Sequence, residues 1–155
     1  MANEQRVQRP MRFLIVEDDM DHAHVIMRTI KKERILNRVD HAIDGLQAWE
    51  MLNQEGEYAD KPRPDIIILD LKMPKMNGHE LLERIREHKE LRRIPVVMMT
   101  TSDAERDRMQ AYENNVNSYL VKPLDFQQFH QMVRDLSLYW GVWNWTIEEG
   151  DSDRD

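Results

Sequence analysis

Acidic, hydroxyl and lysyl side chains recur at the ends of apolar runs in this sequence. Glu17-Asp18-Asp19 follows FLIV, Asp70 follows IIIL, Thr100-Thr101 follows PVVMM and Lys122 follows SYLV. Singly, each has an ordinary explanation. An acid after a strand caps a helix or forms a turn, and threonine is at home in a strand. Together, the four positions describe one chemistry. Carboxylates held close repel unless a cation joins them, and Mg2+ is a hard ion that takes one or two carboxylates and keeps sites for phosphate oxygens. Nothing suggests zinc: there is no cysteine, and His22, His24, His79, His88 and His130 read as surface or packing residues without ligand spacing. Lys122 opposite the acids and Thr100 beside them would bind the oxygens of a transferring phosphoryl group. A central carboxylate, Asp70, can act as nucleophile and form an aspartyl phosphate.

These residues meet only if their strands are neighbours. Short apolar segments at 12–17, 38–43, 65–70, 95–100 and 117–121 read as strands. The first, third and fourth are almost continuously apolar, as in strands covered on both faces. Between them run helical stripes: Ala23, Ile26, Met27 and Ile30; Leu46, Trp49 and Leu52 after Asp44-Gly45; Leu81, Leu82 and Ile85 after Asn77-Gly78. A fourth helix, capped by Ser102 or Asp103, has the thin stripe Met109 and Tyr112. A fifth carries Phe126, Phe129, Val133, Leu136 and Trp140 behind Asp125. Five βα units predict an α/β fold, the flavodoxin-like (βα)5 doubly wound parallel sheet with strand order 2-1-3-4-5. Barrel closure would need about eight units. In this order strands 1, 3, 4 and 5 are adjacent, and their carboxyl ends form one shallow cleft.

The bulk properties agree. The chain has 155 residues, 33% of them charged and 41% apolar, which suits one globular domain. We read residues 1–10 as an N-terminal extension, 11–142 as the domain and 143–155 as an acidic C-terminal tail with five acids and one arginine. Residues 54–64, QEGEYADKPRP, read as a long solvated loop, with a partner contact as the alternative. The net charge of −7 argues against a bulk electrostatic grip on nucleic acid. No run approaches the roughly 20 apolar residues of a membrane span, and no signal-peptide core precedes the first strand. The lack of cysteine fits a reducing cytoplasm.

The sequence resembles the receiver domain of two-component response regulators. The likeness rests on VEDD at 16–19, LDLKMPKMNG at 69–78, IPVVMMTT at 94–101 and SYLVKP at 118–123, and covers about residues 11–140. It implies that Asp70 accepts phosphate from a sensor histidine kinase, and that Asp18, Asp70 and the backbone carbonyl of Lys72 hold Mg2+. Glu17 takes the other acidic-pocket position, acting through water, and Asp19 falls one past the acid pair. Thr100 would contact the phosphoryl group and Lys122 would pair with it, while Tyr119 stands at the switch-aromatic position. The Lys122–Pro123 bond is cis in the family. Such a protein is a phosphoacceptor in signalling that assists its own phosphorylation and dephosphorylation, rather than a turnover enzyme.

The 54–64 loop and LSLYWGVW at 136–143 resemble regulators paired with bacterial phytochromes. That suggests a stand-alone cytoplasmic receiver with a phytochrome-type kinase, homodimerising through its helix 4–strand 5–helix 5 face, with no nucleic-acid or membrane partner. Lys72 and Ser102 occupy positions that border the path of attacking water in the family, so Lys72 is expected to modulate dephosphorylation. Two rivals remain in view. A haloacid-dehalogenase-type phosphatase would want a second acid where Lys72 stands. A non-phosphorylated pseudo-receiver would have lost the acid pair, the central Asp or the Lys, and all are present.

Overall fold

The computed structural model describes residues 11–33 and 37–143. The expected 1–10 extension, and all but the first residue of the expected acidic tail, lie outside the described residues. Five parallel strands, β1 (Arg12–Val16), β2 (Arg38–Ala42), β3 (Ile66–Leu69), β4 (Val96–Thr100) and β5 (Ser118–Val121), form one sheet in the order β2-β1-β3-β4-β5. Each strand starts and stops within one residue of its sequence segment. The helices are α1 (Met20–Glu33), α2 (Gly45–Leu52), α3 (Gly78–Glu87), α4 (Glu105–Glu113) and α5 (Phe126–Leu138), the last running on into a wider turn at Tyr139–Trp143. This is the flavodoxin-like arrangement the βα alternation predicts.

The sheet divides the core in two because alternate strand residues face opposite ways. Leu14, Val16, Ile67, Leu69, Val96 and Met98 meet Ala48, Met51 and Leu52 of α2 and Leu81, Leu82 and Ile85 of α3. Phe13, Ile15, Ile66, Ile68, Val97 and Met99 meet Ile26 and Ile30 of α1 and Phe129, Val133 and Leu136 of α5. All four residues of β3 are buried, at about 1.5–3 kcal/mol per large aliphatic side chain. The central strand that leads to Asp70 is therefore firmly anchored in the sheet.

Three helix starts are capped by the polar residue the sequence offers. Asp44, Asn77 and Asp125 accept the N–H of Gln47 (2.7 Å), Glu80 (2.9 Å) and Gln128 (2.9 Å). Several expected stripes shift. In α2 the buried face is Ala48, Met51 and Leu52, while Leu46 is exposed and Trp49 only half-buried. In α5 Phe126 is exposed. The correction is largest in α4. Its N-cap is Ala104, with no side-chain cap, Ala111 is its buried residue, and Met109 and Tyr112 are 55% and 50% exposed. So short a helix with one small buried residue makes little contact with the core.

The 54–64 connection is polar but not loose. A single 3-10 turn at Gly56–Tyr58 brings Tyr58 against the core. Gln54 donates to the Lys61 carbonyl (2.9 Å), Lys61 pairs with Asp40 (2.9 Å), and Arg63 donates to the Leu52 carbonyl (3.2 Å) and pairs with Glu90. Among the described residues, no helix is long and apolar enough to cross a membrane.

Candidate functional site

The register of the sheet assembles the site. Val16 pairs with Leu69, so the next residues, Glu17 and Asp70, leave the sheet side by side. The Asp70 N–H donates to the Val16 carbonyl (3.0 Å), and the Glu17 N–H to the Ala42 carbonyl (3.0 Å). Across β4, Thr100 pairs with Val121, and the Lys122 N–H donates to the Thr100 carbonyl (2.7 Å). The turn after Asp70 folds back so tightly that a Cβ on Gly78 would lie 2.4 Å from the Asp70 carbonyl oxygen. Only glycine fits there, and it lets the start of α3 close against the acceptor's own peptide.

At the centre, buried Lys122 forms an ion pair with Glu17 and lies 3.4 Å from Asp70 Oδ2. Asp70 Oδ1 accepts the Leu71 N–H at 2.7 Å. Glu17 is buried, and that burial, together with the neighbouring Asp70 carboxylate, pushes its carboxyl up to about 9 against the opposing pull of Lys122. Asp18 is exposed at the mouth. A cavity of about 630 Å³ opens beside it, lined by Lys72, Met73, Asn77, His79, Ser102 and Arg106 among others.

Glu17, Asp18 and Asp70 each present a carboxylate oxygen within 4.8 Å of the others. One further oxygen, Glu17 Oε2, is buried without a hydrogen-bond partner. An orphaned acceptor among crowded carboxylates is costly unless a cation or proton reaches it. The all-oxygen donor set suits a hard divalent ion such as Mg2+.

The sequence matches the response regulator receiver domain over residues 13–134. This chain belongs to that family. It is 40% identical over 135 residues to the probable methanogenesis regulatory protein FilR2 of Methanothrix harundinacea, covering 87% of this chain and 86% of the relative. Two crystal structures superpose with TM-scores of 0.87. One is the phosphorylated cyanobacterial phytochrome response regulator RcpA, 34% identical, covering 89% of this chain and 99% of that one. The other is the Mn(2+)-bound form of Rcp1, 36% identical, covering 90% of this chain and all of that one, a response regulator of Synechocystis.

Beside the acidic pocket of this receiver, a chain of hydrogen bonds ties four elements together. Buried Thr100 accepts the Ser102 N–H through its hydroxyl (3.2 Å), which leaves its own O–H available to donate. The Tyr119 hydroxyl donates to the Ser102 carbonyl (2.8 Å). Ser102 Oγ donates to Asp107 (2.6 Å), and the other Asp107 oxygen faces His79 Nε2 (3.3 Å). The Ser102 bond, then His79, hold the Asp107 carboxyl below its usual range, whereas burial raises the Tyr119 phenol.

The structure thus brings together Glu17, Asp18, Asp70 and Lys122, and links Thr100 to Tyr119 through Ser102. Lys72 is exposed and lines the cavity without an ion pair among the described residues. Asp19 turns back to accept the N–H of Asp21 (3.0 Å) and His22 (3.2 Å) at the start of α1. The Lys122–Pro123 peptide, expected cis, is trans, and no described peptide bond is cis; trans is the lower-energy isomer of X–Pro by about 0.5–1 kcal/mol. Two histidines escaped the sequence reading. His41 donates to the Glu17 carbonyl (2.7 Å), and His22, taken for a surface or packing residue, reaches Lys122 and Glu17.

Proposed function

We propose that this receiver takes a phosphoryl group from a sensor histidine kinase onto Asp70, with Mg2+ as cofactor, and converts the new charge into a change on its α4–β5–α5 face. The observation that carries this reading is the cluster of Glu17, Asp18 and Asp70 oxygens within 4.8 Å, faced by buried Lys122. Asp18, Asp70 and the Lys72 carbonyl would hold the ion, with Glu17 acting through water, and the ion would offset the charge on the phosphoryl oxygens. An Asp70 carboxylate oxygen attacks phosphorus as the P–N bond to the kinase histidine breaks. The bonding pair leaves on the imidazole nitrogen. Lys122, already 3.4 Å from Asp70, turns from Glu17 toward a phosphoryl oxygen, and Thr100 donates to another. The phosphorylated state of RcpA and the Mn2+ in Rcp1 support the acceptor and the ion, and RcpA's phytochrome association supports a kinase of that type.

A carboxylate charge becomes about −1.5 to −2 on phosphorylation. As Thr100 moves toward it, the Ser102 peptide it binds moves too, and the Tyr119 hydroxyl loses its fixed acceptor and turns inward. Exposed Met109 and Tyr112 on α4 give the resulting face an apolar patch for a second copy of the chain. Sedimentation of the unmodified and phosphorylated forms tests that pairing, and a monomer in both removes it. The central test is incubation with acetyl phosphate and Mg2+ followed by intact mass. The wild type gains one phosphoryl adduct and Asp70→Asn gains none. A wild type that stays unmodified with both a small donor and a cognate kinase overturns the reading.

A further inference from the structure

Lys122 Nζ is an ammonium with three N–H donors and no acceptor. Three acceptors surround it: Glu17 Oε1, Asp70 Oδ2 at 3.4 Å and His22 Nδ1 at 3.0 Å. With its ring proton on Nε2, His22 presents the Nδ1 lone pair to this ammonium at 3.0 Å. The 3.1 Å approach of Nδ1 to Glu17 Oε1 follows, since both atoms accept from the same cation. His22 is itself fixed. Asp19 holds its backbone at the start of α1, and its ring packs edge-on against Phe129 of α5 at 5.4 Å.

We infer that His22 is a positioning residue for phosphoryl uptake: it supplies the one neutral acceptor that keeps the Lys122 ammonium aimed at Asp70 throughout the reaction. This rests on the proposed role of Lys122 as the cation that meets the phosphoryl group. The other two acceptors change during that reaction. Asp70 becomes an acyl phosphate, and Lys122 leaves Glu17 for a phosphoryl oxygen. His22 Nδ1 takes part in neither change, so the ammonium keeps one anchor as its other two contacts are altered.

Two substitutions separate the acceptor from the ring. His22→Phe keeps an aromatic edge for Phe129 and removes the lone pair; His22→Asn removes the ring and offers a carbonyl oxygen close to where Nδ1 stood. With acetyl phosphate at saturating Mg2+, His22→Phe should form the Asp70 adduct about tenfold more slowly, a modest loss for a misaimed group. His22→Asn should stay within about twofold of wild type. In metal-free wild type, long-range 1H–15N correlation of the imidazole should show Nδ1 as the unprotonated nitrogen. Unfolding midpoints show whether each variant is folded; should His22→Phe fail that check, the Asn variant and the imidazole spectrum decide. A ring protonated on Nδ1, a Phe variant as fast as wild type, or an Asn variant as slow as a folded Phe variant overturns the inference. Failure of wild type to form any adduct strikes the phosphoacceptor reading instead, and the metal-free spectrum still decides the place of His22.

Discussion

Two cations stand partly or wholly out of water at opposite ends of the sheet, and they are wired differently. Lys122, at the carboxyl ends of the strands, is surrounded by carboxylates and one imidazole. Arg86 of α3, beside the segments that lead into β4 and β5, touches no carboxylate among the described residues. It donates to the carbonyls of Asn115 (3.0 Å), Arg92 (3.1 Å) and Ile94 (2.8 Å) and to the side-chain oxygen of Asn117 (3.0 Å). That Asn117 oxygen also accepts the Val96 N–H at 2.8 Å. A rigid five-donor fork among neutral oxygens fixes backbone in place. An ammonium held by side-chain acceptors can be redirected by any stronger anion that arrives. The first arrangement is a staple and the second a movable partner, which is what a group that must answer a phosphoryl transfer requires.

Substitutions at the two cations should therefore fail in different measurements. The largest effect belongs to Lys122→Met. Phosphoryl uptake from acetyl phosphate should fall about a hundredfold, the scale for removing one charged donor from a transition state, with the chain still folded by circular dichroism. A variant that loses its fold rather than its rate would make Lys122 a staple too. Arg86→Met should reverse the pattern. It leaves polar oxygens unpaired and should cost about 2 kcal/mol in urea unfolding, while the folded protein takes up phosphate at an unchanged rate.

The third prediction concerns the acid that answers Lys122. Burial and the Asp70 carboxylate push the folded Glu17 carboxyl from the ordinary 4.5 up to about 9. Between those values the native state binds more protons than the unfolded one, so this group makes stability fall as pH rises. In chelator, wild type should lose stability from about pH 5 to 9 more steeply than Glu17→Gln, and added Mg2+ should lessen the difference. Parallel curves would show that the pocket is not under this strain. The smallest effect is expected at exposed Lys72, a third cation with neither wiring. Lys72→Ala should change the decay of the phosphorylated form by about twofold, as suits a screened charge, and equal decay rates would end its assigned role.

Much of this was legible in the sequence, for physical reasons. IIIL and VVMM are apolar on both faces, and only a central parallel strand buries both; the polar residues ending those runs then had to converge. The helices were harder to orient. GLQAWEML is apolar on most of its circumference, so Leu46 and Trp49 competed with Ala48 and Met51 for the core, and the smaller or more flexible side chains fit nearer the sheet. In α4, Met109 and Tyr112 carried the hydrophobicity but Ala111 was buried, because contact there depends on tertiary placement. His22 gave no signal at all. Its partner lies 100 residues away, and no local pattern marks an imidazole that will meet a lysine from the last strand. Arg86 was equally silent, since its acceptors are carbonyls that every residue has.

The absent side chain at Gly78 has a consequence for anyone mapping this receiver by mutation. A methyl group there would collide with the Asp70 peptide itself, so Gly78→Ala would move the acceptor without touching a phosphoryl oxygen, an ion or a partner. A genetic screen for signalling-dead alleles should return that position beside Asp70 and Lys122. It would be scored as chemistry when what was lost is room.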